Sequence, residues 1–455
     1  MSNPSSGLHT NMSEHDDGAT ACDRRNGILT KPRLAAIDPW ISPPAIEQWM
    51  GQYGSPLHVY SETALLELAS GFQRFVAACA KPASAAYAVK ACPAPAVLSV
   101  IRRQGFHAEV NSVTEYRQAI AAGFSANQIY INGVAKSVQF IDLALENGSR
   151  RINVDAVEEL DLIAARASAL GRLANIHLRL CPDIVAGCGA ALMTGGKYSQ
   201  FGILETDLPH AVDKLRALHA SVALRGIHVH VGSGGRLDTI YSHLVTVVID
   251  AVSAIEQAGL DTLTEVNLGG GFVSDAADYS RVSGADTLCR EISRLPEHLA
   301  VIFEPGRFLV ERASALYCRI AAFKRKAETT WLFVDAGYCH LTDRAIVGAR
   351  FPMHSLRTGD SDSMLVRVAG PLCDSADVYQ AWTDNDQGGN GGDLFRFPLG
   401  SQVGDIVEIG HAGAYVYSTG NRFAGFIQPA VLLVESHGNP RLVRRAEQSF
   451  GHGAT

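Results

Sequence analysis

Short apolar runs recur along the middle of the chain at Ala86–Val89, Phe106–Val110, Gln128–Ile131, Arg151–Val154, Asn175–Leu180, Leu224–Val231, Thr264–Leu268 and Ala300–Phe303. Each reads as a buried strand. Between them apolar residues fall at helical spacing, as in Val97, Leu98 and Ile101, Ile141 and Leu145, or Leu160, Ile163 and Leu170. Several of these stretches close on a glycine where a helix would take its C-cap: Gly105, Gly123, Gly148, Gly171 and Gly259. Eight strands alternating with helices predict a (β/α)8 TIM barrel, an α/β fold, with an open doubly wound sheet as the alternative.

After about Glu311 the texture changes. Helical spacing gives way to short alternating strands at Leu316–Phe323, Trp331–Val334, Met364–Val368, Ile406–Ile409 and Ala430–Val434, with a glycine-rich loop at Asp384–Asp393. This reads as a C-terminal all-β domain. The early strand Leu57–Tyr60 is expected to join it. The expected organisation is a disordered tail at 1–33, an N-terminal segment at 34–60, the barrel at 61–311, the β domain at 312–440 and a tail at 441–455.

Composition narrows the function. Of 455 residues, 47% are hydrophobic and 19% charged, which suits a soluble protein with a large core. A net charge of -7 and the lack of a Lys/Arg-rich block argue against a nucleic-acid binder. No apolar run is long enough for a transmembrane helix, so no membrane partner is expected. The first residues, polar and rich in Ser, Asn, Asp and Gly, lack the apolar core of a secretory signal. Nine cysteines at irregular spacing, without C-x-x-C, fit reduced thiols in the cytoplasm. Neither they nor the sixteen histidines show metal-ligand spacing, so no metal is expected.

A barrel builds its active site at the C-terminal strand ends. Polar and glycine residues collect there: Lys90, then Glu109 to Ser112, Asn132, Asp155, Arg179, His228 to Gly235, Gly269 to Phe272, and Glu304 to Arg307. Gly269, Gly270 and Gly271 let backbone N–H groups approach a phosphate closely. Gly232-Ser233-Gly234 and Gly306-Arg307 offer the same on neighbouring strands, where barrels commonly hold phosphate. No G-x-x-x-x-G-K-[ST] or G-x-G-x-x-G follows a strand, which disfavours nucleotides. A phosphate corner beside a strand-end lysine points to a phosphorylated aldehyde held as a Schiff base, pyridoxal 5'-phosphate.

Seven ordered motifs carry a resemblance. They are Tyr87-Ala88-Val89-Lys90, His230-Val231-Gly232-Ser233-Gly234, Gly269-Gly270-Gly271-Phe272, Glu304-Pro305-Gly306-Arg307, Val334-Asp335-Ala336-Gly337-Tyr338, Gly370-Pro371-Leu372-Cys373-Asp374 and Ala412-Gly413-Ala414-Tyr415. From about Pro56 to about Glu435 the chain resembles the fold-type III pyridoxal-phosphate decarboxylases, the group of ornithine, diaminopimelate and biosynthetic arginine decarboxylases. The resemblance implies an alanine racemase-like barrel and a decarboxylase of a basic amino acid or an amino-acid conjugate. It implies that Lys90 forms the Schiff base and His230 stacks on the ring. Ser233, Gly269, Gly270, Gly271, Arg307 and Tyr415 would hold the phosphate, and Glu304 would pair with the ring nitrogen. A carboxylate there keeps the ring cationic, which favours decarboxylation over racemisation. Cys373 would protonate Cα, and Asp335 and Asp374 would bind a distal ammonium. In such relatives the Cys373-Asp374 pair reaches into the partner's site, which implies a homodimer with composite active sites.

Departures bear on the substrate. Diaminopimelate decarboxylases usually carry Cys-Glu-Ser, where this chain has Cys373-Asp374-Ser375. They also carry an Arg-Pro that binds a distal carboxylate; here Asp343-Arg344-Ala345 supplies an arginine, Arg344, without the proline. Asn421 to Phe426 is nearer the ornithine type, and other stretches resemble a bacterial subgroup acting on D-ornithine and D-lysine. The loop Ile184–Gln200, with Cys188 and Lys197, would shape a larger pocket. The alternatives are a racemase or epimerase of the same fold and a non-catalytic regulator, the latter disfavoured by retention of Lys90, His230, Glu304, Arg307, Cys373 and Tyr415.

Overall fold

The computed structural model describes residues 41–184, 194–233, 237–260, 262–275, 278–357, 362–380 and 394–447. The expected tail at 1–33, Gly234 and Gly235, Cys188, the loop Asp384–Asp393 and the last residues of the chain lie outside these.

The strands, in chain order, are β1 (Leu57–Ser61), β2 (Ala83–Ala88), β3 (His107–Val110), β4 (Ile129–Ile131), β5 (Arg151–Val154), β6 (Ala174–Cys181), β7 (Ile203–Leu204), β8 (Val222–Val229), β9 (Glu265–Asn267), β10 (Ala300–Phe303), β11 (Ser314–Lys326), β12 (Thr329–Val334), β13 (Met353–Ser355), β14 (Ser363–Ala369), β15 (Phe395–Pro398), β16 (Ile406–Gly410), β17 (Ala430–Val434) and β18 (Pro440–Arg444). Strands β2 to β6 and β8 to β10 form a closed parallel barrel, with β10 pairing back to β2. Their crossovers are helices such as Pro95–Arg103, Val138–Glu146 and Leu237–Gln257. This is the TIM barrel that the alternation predicted. The predicted C-cap glycines Gly105 and Gly148 take φ values of 82° and 68°, the left-handed turn that ends a helix.

The second sheet runs β15-β14-β12-β11-β1-β17-β18, with β16 joining β11 to β13. β1 lies inside it, antiparallel to β11 and parallel to β17. Residues 441–444, expected as tail, instead form most of β18, antiparallel to β17. Its alternation is hidden because it is an edge strand carrying Arg441 and Arg444. β7, β13 and β15, with 2, 3 and 4 residues, were too short to show a period.

The barrel's helical layer packs an aromatic cluster in which Phe72 meets Phe75, Phe272 and Phe308 edge-on at 5.4, 5.1 and 5.4 Å. Alternate residues of the strands point the other way, into the barrel. That interior is mostly polar. Asn153, His177, His228, Glu265 and Asn267 are all buried, beside a small apolar cluster of Ala86, Tyr130 and Ile302. Each buried polar group must find a partner inside. His177 meets Asn153 Oδ1 at 3.1 Å and Glu265 Oε1 at 2.9 Å. No helix among the described residues is long and apolar enough to cross a membrane.

Candidate active site

The first barrel strand stops at Ala88, two residues before Lys90. Val89–Ala91 turns as a 3-10 helix instead of extending the strand. The second sheet's domain imposes this turn. Tyr415 N donates to Ala91 O at 2.7 Å and Ser418 Oγ donates to Lys90 O at 2.8 Å. The turn aims the lysine into a cavity of about 330 Å³ at the C-terminal strand ends. Lys90 Nζ lies 3.6 Å from Glu109 Oε2, and Lys90 keeps 42% of its side chain accessible because the cavity is open. Burial depresses the lysine, but Glu109, Tyr415 and Glu304 outweigh it and the ammonium's pKa rises. Burial likewise lifts the Glu109 carboxyl to about 7, against the pull of Lys90. Asn111 Nδ2 donates to Glu109 Oε1 at 2.7 Å and fixes its orientation.

Glu304, just past β10, accepts from Asn267 Nδ2 at 2.7 Å and lies 3.1 Å from His228 Nε2. Burial opposes its ionisation, yet His228, Lys90 and Asn267 hold its pKa at about 2. The cavity therefore has a carboxylate in its wall that stays charged at any physiological pH. His230 follows β8 on the inward side. Gly270 N donates to its Nδ1 at 3.1 Å, so the ring proton sits on Nε2. Burial, with Lys90 and Arg179 nearby, lowers its pKa to about 3 and keeps the ring neutral.

The glycines make room for these groups. A Cβ on Gly270 would sit 2.4 Å from Glu304 O, and one on Gly269 2.4 Å from Val229 O. Their N–H groups are already used, Gly269 by Asn267 Oδ1 at 2.9 Å and Gly270 by His230. Gly270 and Gly271 line the cavity while Gly269 packs behind it. Ser233, Arg307 and Tyr415 complete that side. The Arg307 guanidinium lies 5.0 Å from the centre of the Tyr415 ring and 2.8 Å from Glu311 Oε1.

The chemistry of this donor set fits pyridoxal phosphate. There is an amine for its aldehyde, a neutral flat ring for its face and an ionised carboxylate for its pyridinium. A bare glycine wall with a serine, an arginine and a tyrosine suits its phosphate.

Of the residues singled out in the sequence, Lys90, His230, Ser233, Gly270, Gly271, Glu304, Arg307 and Tyr415 meet at this cavity. Others stand elsewhere. Asp335 accepts from Arg319 N at 2.8 Å within the second sheet. Arg344 is buried, pairs through Nη2 with Asp377 Oδ1, and lies 3.9 Å over the Tyr379 ring. It thus faces its own domain and not the cavity. Cys373 is exposed, and Asp374 beside it accepts from Tyr338 Oη at 3.2 Å.

Sequence reasoning gave no role to Glu109, Arg179, Asn111, Asn132 or Phe201, all at or beside the cavity. Arg179 donates to Asp155 Oδ1 at 2.9 Å and lies 4.5 Å over the Phe201 ring. For all but Phe201, which lies in the segment before β7, a position at a strand end was the available signal.

Residues 65–311 match the family model described as the pyridoxal binding domain of pyridoxal-dependent decarboxylases. Diaminopimelate decarboxylase of Neisseria meningitidis is 30% identical over 400 residues, 87% of this chain and 91% of that protein. The crystal structure of diaminopimelate decarboxylase from M. jannaschii in complex with L-lysine superposes with a TM-score of 0.77 at 26% identity, covering 89% of this chain and 92% of that one. The lysine/ornithine decarboxylase of Vibrio vulnificus complexed with putrescine shares the fold, with a TM-score of 0.71 at 21% identity over 86% of this chain and 98% of that one.

Proposed function

This chain belongs to the pyridoxal-dependent decarboxylases, lyases that work with pyridoxal phosphate, and from that premise we propose that it removes the α-carboxylate of a basic amino acid or an amino-acid conjugate. The observation that carries this reading is the convergence of Lys90, His230 and the ionised Glu304 on one cavity. When bound, pyridoxal phosphate supplies an electron sink for the pair released as the carboxylate departs.

The residues divide the remaining work. Lys90 would hold the cofactor through its aldehyde carbon. Glu109, 3.6 Å from Nζ and lifted to about 7, is placed to exchange a proton with it. Glu304, ionised, would favour a proton on the cofactor's ring nitrogen, which a neutral partner would not. His230, neutral with its proton on Nε2, would offer the cofactor's ring a flat face without a competing charge. Ser233, Gly271, Arg307 and Tyr415 would hold the phosphate, with Gly270 and Gly269 giving the bare wall, their N–H groups already taken by His230 and Asn267. Cys373, with Asp374 next to it in the chain, would be the proton donor, from its Sγ, to the substrate's Cα.

Cys373 is exposed and not among the cavity's lining residues, so it acts across a homodimer, in the site of the second copy. We also place the enzyme in the cytoplasm. The seven described cysteines, including Cys79 and Cys289 with Sγ atoms 3.8 Å apart, are all free thiols.

The test is carbon dioxide release from L- and D-ornithine, L- and D-lysine, L-arginine and meso-diaminopimelate. Borohydride reduction followed by peptide mapping should place the cofactor on Lys90. Lys90→Ala protein that still traps cofactor covalently would sink the assignment. Cys373→Ala should slow turnover by roughly 10²–10³-fold while retaining cofactor. Mixing equal amounts of Lys90→Ala and Cys373→Ala and allowing exchange should restore about a quarter of wild-type activity, since half the dimers then hold one intact site. No restoration would argue against sites built from two copies.

A further inference from the structure

The proposed reaction gives Cys373 the task of delivering a proton to Cα, and this inference rests on that reading. Delivery needs a thiol held in place, yet Cys373 is exposed and stands in the segment 370–378 that follows β14. Its backbone is fixed by Asp377, which is buried and whose carboxylate takes three donors. Tyr338 N donates to Oδ1 at 2.9 Å, Leu372 N donates to Oδ2 at 2.8 Å, and Arg344 Nη2 donates to Oδ1. Leu372 is the residue before Cys373. The main chain also closes on itself here. Gly370 N donates to Asp377 O at 2.9 Å, and Asp377 N donates to Asp374 O at 3.1 Å. The fit is tight: a Cβ on Gly370 would sit 2.3 Å from Asp377 Oδ2, and one on Gly337 2.9 Å from the same atom.

Arg344 is the cation among the three donors. Its side chain is 5% exposed and that of Asp377 1%. The guanidinium lies 3.9 Å over the Tyr379 ring, and Tyr379 Oη is tied to Ala336 O at 2.8 Å. Arg344 Nε and Nη1 find no acceptor among the described residues. A buried cation with two idle donors adds little net stability. What it does is balance the carboxylate that grips the loop carrying Cys373.

We infer that Arg344 is a positioning residue for the proton donor. Through Asp377 it fixes the turn on which Cys373 stands, so its effect on the reaction passes through the thiol. The role in binding a distal carboxylate that its sequence neighbourhood suggested gives way to one inside its own domain.

The experiment is a double-mutant cycle on cofactor-loaded enzyme, with the amino acid that releases carbon dioxide fastest as substrate. Arg344→Met should lower kcat by roughly 10²-fold and leave KM and the cofactor's absorbance close to wild type. In Cys373→Ala enzyme the same substitution should cost less than roughly twofold, because the group it positions is gone. Arg344→Lys, which keeps a cation on Asp377, should recover most of the lost rate. Hydrogen exchange reads the same device without turnover. The Leu372 amide should exchange at least roughly tenfold faster in Arg344→Met, with the barrel strands unchanged. If Arg344→Met does not fold, Asp377→Asn takes its place in the cycle, since its NH2 would meet a donor where an oxygen now accepts.

Equal losses with and without Cys373 would mark Arg344 as ordinary scaffold and overturn the inference. So would an unchanged kcat, or unchanged exchange at Leu372. Each of these leaves the decarboxylase reading standing. Cys373→Ala enzyme at the wild-type rate would remove the thiol's role, and no carbon dioxide release from any amino acid would remove the whole reading. Either result takes this inference with it.

Discussion

Two buried glutamates stand on neighbouring strands of one barrel, Glu265 at the start of β9 and Glu304 just past β10. Each faces a buried histidine, Glu265 with His177 Nε2 at 2.9 Å and Glu304 with His228 Nε2 at 3.1 Å. Burial raises both carboxyls and the histidines and other donors bring both down to about 2. They part company in the remaining contacts. Glu265 also has Arg151 Nε at 2.6 Å and Arg150 Nη2 at 3.8 Å, so its charge is cancelled inside the protein. Glu304 has the neutral amide of Asn267 and an open face on the cavity. The same residue beside the same kind of partner is scaffold where arginine completes it. Where arginine is withheld, it is a counter-charge for a ligand.

The sharpest way to break this contrast is to neutralise each carboxylate in turn. Glu304→Gln should lower carbon dioxide release by roughly 10²–10³-fold while the thermal midpoint barely moves. If the variant unfolds instead, Glu304 is scaffold after all. Glu265→Ala should do the opposite. It leaves Arg151, 16% exposed, without its carboxylate and should cost about 3 kcal/mol in urea titration, with the cofactor's absorbance retained. A folded Glu265→Ala enzyme without activity would erase the distinction.

A smaller effect should appear with pH. His58, His107 and His230 are held near 3, 4 and 3, by burial first, so they stay neutral in the folded protein. In the unfolded chain they bind protons near their ordinary value of about 6.5. The unfolded state thus holds more protons below that value, and stability must fall as pH drops from about 6.5 towards 3. The slope is at most about 1.4 kcal/mol per pH unit for each group. Glu265 and Glu304 add a second loss below about pH 4.5, as pH falls towards 2. Urea midpoints at several pH values read both branches. A flat profile between pH 6.5 and 4 would contradict the neutral histidines.

The barrel was legible because its outward strand positions are apolar and its helices stop on glycine. Its polar interior was not. β9 has three residues, so Glu265 and Asn267 flank one valine and show no period. Their partners, His177 for Glu265 and Glu304 for Asn267, come from other strands of the chain. The lining of the candidate site was legible where a motif keeps neighbours together, as in Glu304 to Arg307 and Gly269 to Phe272. It failed where one step along a helix decides the outcome. Arg344 was expected to meet substrate, yet Asp343 is the residue of that helix that contacts Arg307. The turn at Val89–Ala91 was also hidden, because Tyr415 and Ser418 impose it from the other end of the sequence.

That last contact bears on how the molecule is made. β1 has its neighbours β11 and β17 far downstream, with Leu57 opposite Ala430. A chain leaving the ribosome at roughly 5–20 residues per second exposes β1 long before its partners exist. All eight barrel strands exist once β10 has been made, but the backbone that aims Lys90 waits for Tyr415 and Ser418. The turn under Lys90 is thus closed by a contact that spans 328 residues of sequence.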